Sequence, residues 1–343
     1  MEPNQLMYNT YNYLDIISSP LFHPSDDATP PHAALFHRPP PSHPVKIPPM
    51  FDLSAYLTET SEAVNRRLDH HLPPPTEPPS ILHEAMRYSV FAGGKRLRPA
   101  LCIAAAQAVG GTPRHALGPA AALELLHTYT LIHDDLPAMD NDALRRGRPT
   151  CHIAFGEANA ILAGDALLTL AFQVLATPDP DLACSPHLLV LELAQAGGSR
   201  GVIAGQVEDL AHEGKPLSEA MLRFIHRHKT GDLIRASVRM GALAAGAGEA
   251  ALHALAAYAD DIGLAFQVAD DLLNATSTPD KLGKATGSDH QRGKQTFVAL
   301  YGIDGARAHA DRLKASALSH LHSLPGTLDP LRALAAYVVE RTQ

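Results

Sequence analysis

The sequence predicts an all-α fold, and three observations carry that expectation. Its long stretches are rich in Ala and Leu and poor in Val-Ile-Thr runs, which favours helices over strands. Segments of helical period alternate with short breaks such as GGTPRHALGP, TPDPD and STPDKLG. No segment alternates apolar and polar residues as a half-buried strand would, and no fixed-period repeat runs through the chain. The 343 residues, 45% hydrophobic with no Trp, can fill one substantial core.

In chain order, residues 1–49 stand apart. Stretches such as HRPPPSHPVKIPP are Pro- and His-rich without helical period, which predicts a disordered or extended segment. They lack the basic start and apolar run of a secretory signal, and the Arg/Ser bias of a transit peptide. Met50 opens an amphipathic segment, MFDLSAYLTETSEAVNRRLDHHL, and is a candidate alternative start. LPPPTEPPS separates this helix from the next, ILHEAMRYSVFAGG, and residues 50–343 then read as one helical domain.

The net charge of −8 argues against nucleic acid as a partner, so clusters of Lys and Arg call for a local anion. Three cysteines without metal-ligand spacing suit a reducing cytoplasm. No apolar run reads as long enough for a membrane span, so no stable membrane anchor is expected.

The apolar helix AAALELLHTYTLIHDD ends on a pair of carboxylates, in LIHDDLPAMDND, with Asp134, Asp135, Asp140 and Asp142. Two such charges at 4 Å repel by about 4 kcal/mol at an effective dielectric of 20. They also sit where the helix dipole disfavours anions. A hard divalent cation such as magnesium, bridging to phosphate, resolves both conflicts. The bland alternative is a solvated acidic loop closed by Pro137.

A second motif, LAFQVADDLLNAT, places Gln267, Asp270, Asp271 and Asn274 on one stripe of an otherwise apolar helix. Charges in such a setting need partners. A stripe turned to solvent is the bland reading, weakened by its apolar flanks, and two such motifs are more specific than one.

Cations complement the acids. Lys95, Arg96 and Arg98 lie in GGKRLRPA; Arg145, Arg146 and Arg148 in DALRRGRP; Lys229 and Thr230 in HKTGDL; Lys284 and Lys294 in LGKATGSDHQRGKQTF. Each cluster alone is the kind usually solvated at a surface. Together, in an acidic protein, they argue for more than one polyanionic ligand. His127 lies two helical turns before Asp134 and could donate to a phosphate or simply pack. No zinc-type cluster, hydrolase triad or Walker-type loop is present.

These residues resemble the trans-isoprenyl diphosphate synthases. From about Met50 onward the motifs run in that family's order: GGKRLRP, HTYTLIHDDLPAMDNDALRRGRPTCH, FGEANAILAGDALL, GQVEDL, KTGDLIRAS, FQVADDLL and LGKATGSDHQRGKQTF. The spacing inside the first Asp motif resembles the bacterial farnesyl and plant-type geranylgeranyl synthases. The resemblance implies the isoprenoid synthase fold, a homodimeric bundle of about ten or more helices around a deep cavity. It implies three magnesium ions held by Asp134, Asp140 and Asp270, with Asp135 and Asp271 in support. It assigns the allylic diphosphate to Arg145, Lys229, Thr230, Gln267, Lys284 and Lys294. It assigns isopentenyl diphosphate to Lys95, Arg98, His127 and Arg146, and includes Gln206 of GQVEDL among the substrate-binding residues.

One residue departs from the family pattern. Asn274 stands where the family usually has a third Asp, which keeps an acceptor but loses a charge. The family relates product length to the positions before the first Asp, here Tyr129 and Thr130. An aromatic at Tyr129 favours the fifteen-carbon farnesyl product over the twenty-carbon geranylgeranyl one. The other readings are a terpene cyclase, disfavoured by GGKRLRP and His127, and a non-catalytic partner subunit, for which Asn274 is the single hint.

Overall fold

The computed structural model describes residues 51–276 and 296–340. Helix α1 (Leu53–His71) starts where the Asp52 side chain accepts the Ala55 N–H at 3.0 Å. It stops before a proline run that cannot continue a helix. Helices α2 (Ser80–Val90) and α3 (Leu97–Ala108) follow, with GGK between them.

Helix α4 (Pro113–Asp134) begins with Pro at its first turn, where no amide hydrogen is needed, and a capping box of Thr112 and His115. Most residues from Ala116 to Ile132 are buried, so α4 is a central helix rather than an amphipathic one. It packs against α1, α3, α6 and α10. A short hairpin, β1 (Leu144–Arg145) and β2 (Arg148–Pro149), comes next, paired Leu144 with Pro149 and Arg145 with Arg148. The expectation of an all-helical chain had no place for it, since two-residue strands leave no alternation to read. Its turn is Arg146-Gly147, with φ of 52° and 73°, the geometry that twists a two-residue hairpin correctly.

The remaining helices are α5 (Cys151–Phe155), α6 (Glu157–Ala176), α7 (Pro186–Gly197), α8 (Val202–Ala211) and α9 (Glu219–His226). A five-residue π-turn, Arg227–Gly231, joins α9 to α10 (Asp232–Ala244). Then come α11 (Glu249–Thr276), α12 (Phe297–His320, broken at Gly302) and α13 (Asp329–Glu340). One core gathers α1, α2, α4, α6 and α7. A second gathers α3, α10, α11, α12 and α13. The faces of α3 and α10 contribute to both, and so hold the halves together.

One sequence expectation is corrected. Helix α6 is long and apolar enough to cross a membrane by length and composition, with 20 residues and a mean hydropathy of 1.5. Its inner face (Ala160, Ala163, Leu167 and Ala171) is buried in the first core, so part of that apolarity serves packing against α4.

Candidate active site

Where α4 leaves the core, its last residues become the first acidic group. Asp135 caps the helix and is almost completely buried. Arg145 on β1 forks onto it, with Nε to Oδ2 at 2.7 Å and Nη2 to Oδ1 at 2.6 Å. The hairpin therefore supplies the cation that lets this carboxylate stay buried. The following loop curls back: the Asp140 N–H donates to the Asp134 carbonyl at 2.9 Å, and Asn141 takes a φ of 53°. Asp134 and Asp140 thus lie in one field. Burial foremost pushes the Asp134 carboxyl up to about 6, Asp140 and Asp135 add to the rise, and Lys229 and Arg145 oppose it.

Lys229 sits in the π-turn, a local widening that is often found at functional sites. Its Nζ donates to Asp209 Oδ2 on α8 at 2.6 Å. Gly205 makes this closeness possible, since a Cβ there would meet the Lys229 backbone nitrogen at 2.1 Å. One residue along α8, Gln206 is buried, and neither end of its carboxamide has a partner among the described residues.

The stripe of α11 faces the same region. Gln267, Asp270, Asp271 and Asn274 line a cavity of about 520 Å³ together with Lys229, Thr230, Asp209 and His226. Asp271 is largely buried, and its Oδ2 accepts the Phe297 N–H at the start of α12 at 2.7 Å. Gln267 Nε2 lies 3.1 Å from His226 Nδ1. The sequence reading did not single out His226. The signal lay one turn before Lys229, and was hidden among 20 histidines.

The basic cluster after α2 divides its labour. Arg96, in the left-handed conformation, is wholly structural: it pairs with buried Glu124 at 2.6 Å and donates to the Val90 carbonyl and to Asn65. Arg98 Nη1 lies 3.2 Å from His127 Nε2, and the charges of both Glu124 and Asp270 act on Arg98. Lys95 lies over the Tyr337 ring, 5.3 Å from its centroid. Arg146 donates to the Gly93 carbonyl, and its guanidinium lies where a side chain on Gly94 would go. Burial, followed by Arg98, Arg146, Arg145 and Arg96, holds His127 well below its usual range, so it is a neutral imidazole.

Tyr129 is buried and meets His133 edge to face at 5.3 Å. Thr130 turns its hydroxyl onto the His127 carbonyl at 2.7 Å. Lys284 and Lys294 lie outside the described residues. Among those described, no group of three or more His, Cys, Asp or Glu side chains forms a cage for a metal ion.

Comparison with known proteins places this arrangement. The sequence model of the family described as Polyprenyl synthetase matches residues 79–322. Farnesyl diphosphate synthase of Escherichia coli (strain K12) is 47% identical over 297 residues, covering 85% of this chain and 98% of that protein. Geranylgeranyl diphosphate synthase of Cyanophora paradoxa is 44% identical over 295 residues, covering 85% and 97%. The crystal structure of an FPP/GFPP synthase from Zymomonas mobilis superposes with a TM-score of 0.74 at 38% identity, covering 84% and 98%. The architecture is that of the isoprenoid synthases, and the chain belongs to the polyprenyl synthetase family.

Proposed function

We propose that this enzyme, a short-chain trans-prenyltransferase, joins isopentenyl diphosphate head to tail with dimethylallyl and geranyl diphosphates and stops at the fifteen-carbon farnesyl product. The observation that carries the reading is Lys229. It lines the cavity that holds Asp270, and its charge also acts on Asp134, so both acidic motifs share one basic group. The Arg98, His127 and Arg146 cluster stands beside this as a second anion seat.

The donor set fits magnesium. Asp135 and Asp271 are engaged by Arg145 and by the Phe297 N–H. Asp134 carries a charge that burial and Asp140 make costly and a divalent cation would neutralise. Diphosphate oxygens and water, which magnesium readily keeps, would complete the coordination. Asp134, Asp140 and Asp270 would hold three such ions. When bound, they spread the negative charge that grows on the departing diphosphate.

The protein's own groups do the rest. Lys229, Thr230 and Gln267 hold the allylic diphosphate from the cavity wall. Arg145 spends Nε and Nη2 on Asp135 and keeps Nη1 for the ligand. At the second seat, His127 Nε2 accepts from Arg98, so its proton lies on Nδ1 and can be donated to a diphosphate oxygen. The allylic C–O bond breaks and the isopentenyl double bond forms the new C–C bond. The proton then lost passes to an oxygen of the released diphosphate, so no protein base is needed.

Buried Tyr129 supports the shorter product. The relatives' names favour geranylgeranyl diphosphate equally, and that is the alternative product. A homodimer, free of the membrane and placed in the cytoplasm, completes the reading. Its three cysteines, all free thiols, suit that compartment.

The test incubates purified protein with magnesium, isopentenyl diphosphate and dimethylallyl diphosphate, and resolves the products by chain length. Fifteen carbons are expected. Twenty would move the cavity floor below Tyr129, and no condensation with any allylic primer would overturn the enzymatic reading.

A further inference from the structure

His226 is the last residue of α9, directly ahead of the π-turn that carries Lys229 and Thr230. Its side chain is mostly buried, and it lines the cavity. Its Nδ1 is 3.1 Å from Gln267 Nε2. An amide nitrogen can only donate, so Nδ1 accepts and the ring proton belongs to Nε2. That nitrogen stands 4.0 Å from Asp271 Oδ2. The ring stacks on Phe297, with centroids 5.5 Å apart and planes at 22°, and the Phe297 N–H holds the same Asp271 oxygen.

One imidazole therefore contacts the α11 stripe at two positions a turn apart, and also the first residue of α12. Its backbone leads within three residues to the cation of the π-turn. Neighbouring His228 does something different: it pairs with Asp232 at 2.7 Å on its own helical run.

We propose that His226 is the positioning residue that fixes the Gln267 carboxamide, and through it the seat of the allylic diphosphate. This rests on the prenyl transfer proposed above. The accepting Nδ1 takes one of the two hydrogens on Gln267 Nε2 and so holds the other, a donor for a diphosphate oxygen, toward the cavity that Gln267 lines. Without His226 the carboxamide can flip and present its oxygen, which a diphosphate repels, instead. The consequence is expected for one substrate, since the basic cluster assigned to isopentenyl diphosphate is built on other elements, with Arg98 against His127 and Arg146 on the Gly93 carbonyl.

The test is steady-state kinetics of His226→Phe, which keeps a ring on Phe297 and removes both nitrogens. The expected result is a kcat lower by about 10- to 100-fold and a raised KM for the allylic diphosphate. The KM for isopentenyl diphosphate and the melting temperature should stay near wild type. His226→Asn, whose amide reaches the Nδ1 position, should recover most of the loss. The double variant with Gln267→Ala should be no worse than Gln267→Ala alone. If the Phe variant does not fold, His226→Gln, whose amide reaches toward Nε2, carries the same expectations. Unchanged kinetics, an equal rise in both KM values with a lowered melting temperature, or losses that multiply in the double variant would each overturn the proposal. Wild type in the same assay separates the two readings. If it condenses and His226→Phe matches it, only this inference fails, whereas an inert wild type removes both.

Discussion

Asp134 shows how a single residue can be costly to the fold and necessary to the chemistry. Burial and Asp140 disfavour its charge, and Lys229 and Arg145 oppose them. Asp135, one residue later, is fully answered by a bidentate arginine. Asp134→Asn is therefore expected to leave the metal-free protein at least as stable as wild type, while condensation falls by roughly 10³-fold. Thermal melting without magnesium, beside product formation with it, checks both halves. A clear loss of stability would mean that the carboxylate has a protein partner of its own. The acidic pair was legible in the sequence because adjacent charges at the end of an apolar helix break two local rules at once. The division of labour within the pair was not, because the arginine that answers Asp135 lies across a turn with no periodic signal. His226 was missed for a similar reason: its partners are 41 and 45 residues away in sequence, on another helix.

At the scale of elements, the active site depends on how closely α8 can approach the π-turn. The stripe on α11 was readable because spacings of three, four and seven fall on one face of any regular helix. The π-turn was not readable, since widening by one residue is a tertiary outcome that propensity does not encode. Gly205 is its counterpart. Any side chain there would collide with backbone at Lys229, where no rotamer change gives relief. Gly205→Ala should thus push α8 and the π-turn apart, breaking the 2.6 Å contact of Lys229 with Asp209. A cost of about 1–3 kcal/mol is expected from overpacking of this kind. The KM for the allylic diphosphate should rise with it, because Lys229 and Thr230 move together. Thermal unfolding and kinetics on the one variant test the link. A fall in stability with an unchanged KM would show that the contact supports the fold without setting the site.

For the whole molecule, the outer faces of α6, α7 and α8 pose the remaining question. The sequence made the helical bundle legible but not which apolar faces turn inward, because α6 is apolar almost all round. Its inner face holds α4, with Gly164 giving His133 room to pack. Its outer face leaves Ile161 and Leu162 exposed, α7 adds Leu188 and Leu191, and α8 adds Ile203 and Val207. Leu162, Leu191 and Val207 are each more than half exposed. Because α6 packs on α7 and α7 on α8, these residues belong to adjoining elements. Exposed apolar side chains clustered on adjoining helices are uncommon on a monomer, and a two-fold copy of the same surface would cover them. The proposed homodimer is expected to form here. Sedimentation of the wild type at micromolar concentration should give a dimer, and Leu162→Glu with Leu191→Glu should give a monomer, since two buried charges per subunit would oppose association. Condensation should fall together with the dimer fraction, because the helix that loses its outer cover also braces the end of α4 where Asp134 emerges. A wild-type monomer would remove the dimer from the proposal. A monomeric variant of full activity would instead keep the dimer and show that α6 braces α4 without help from a second subunit.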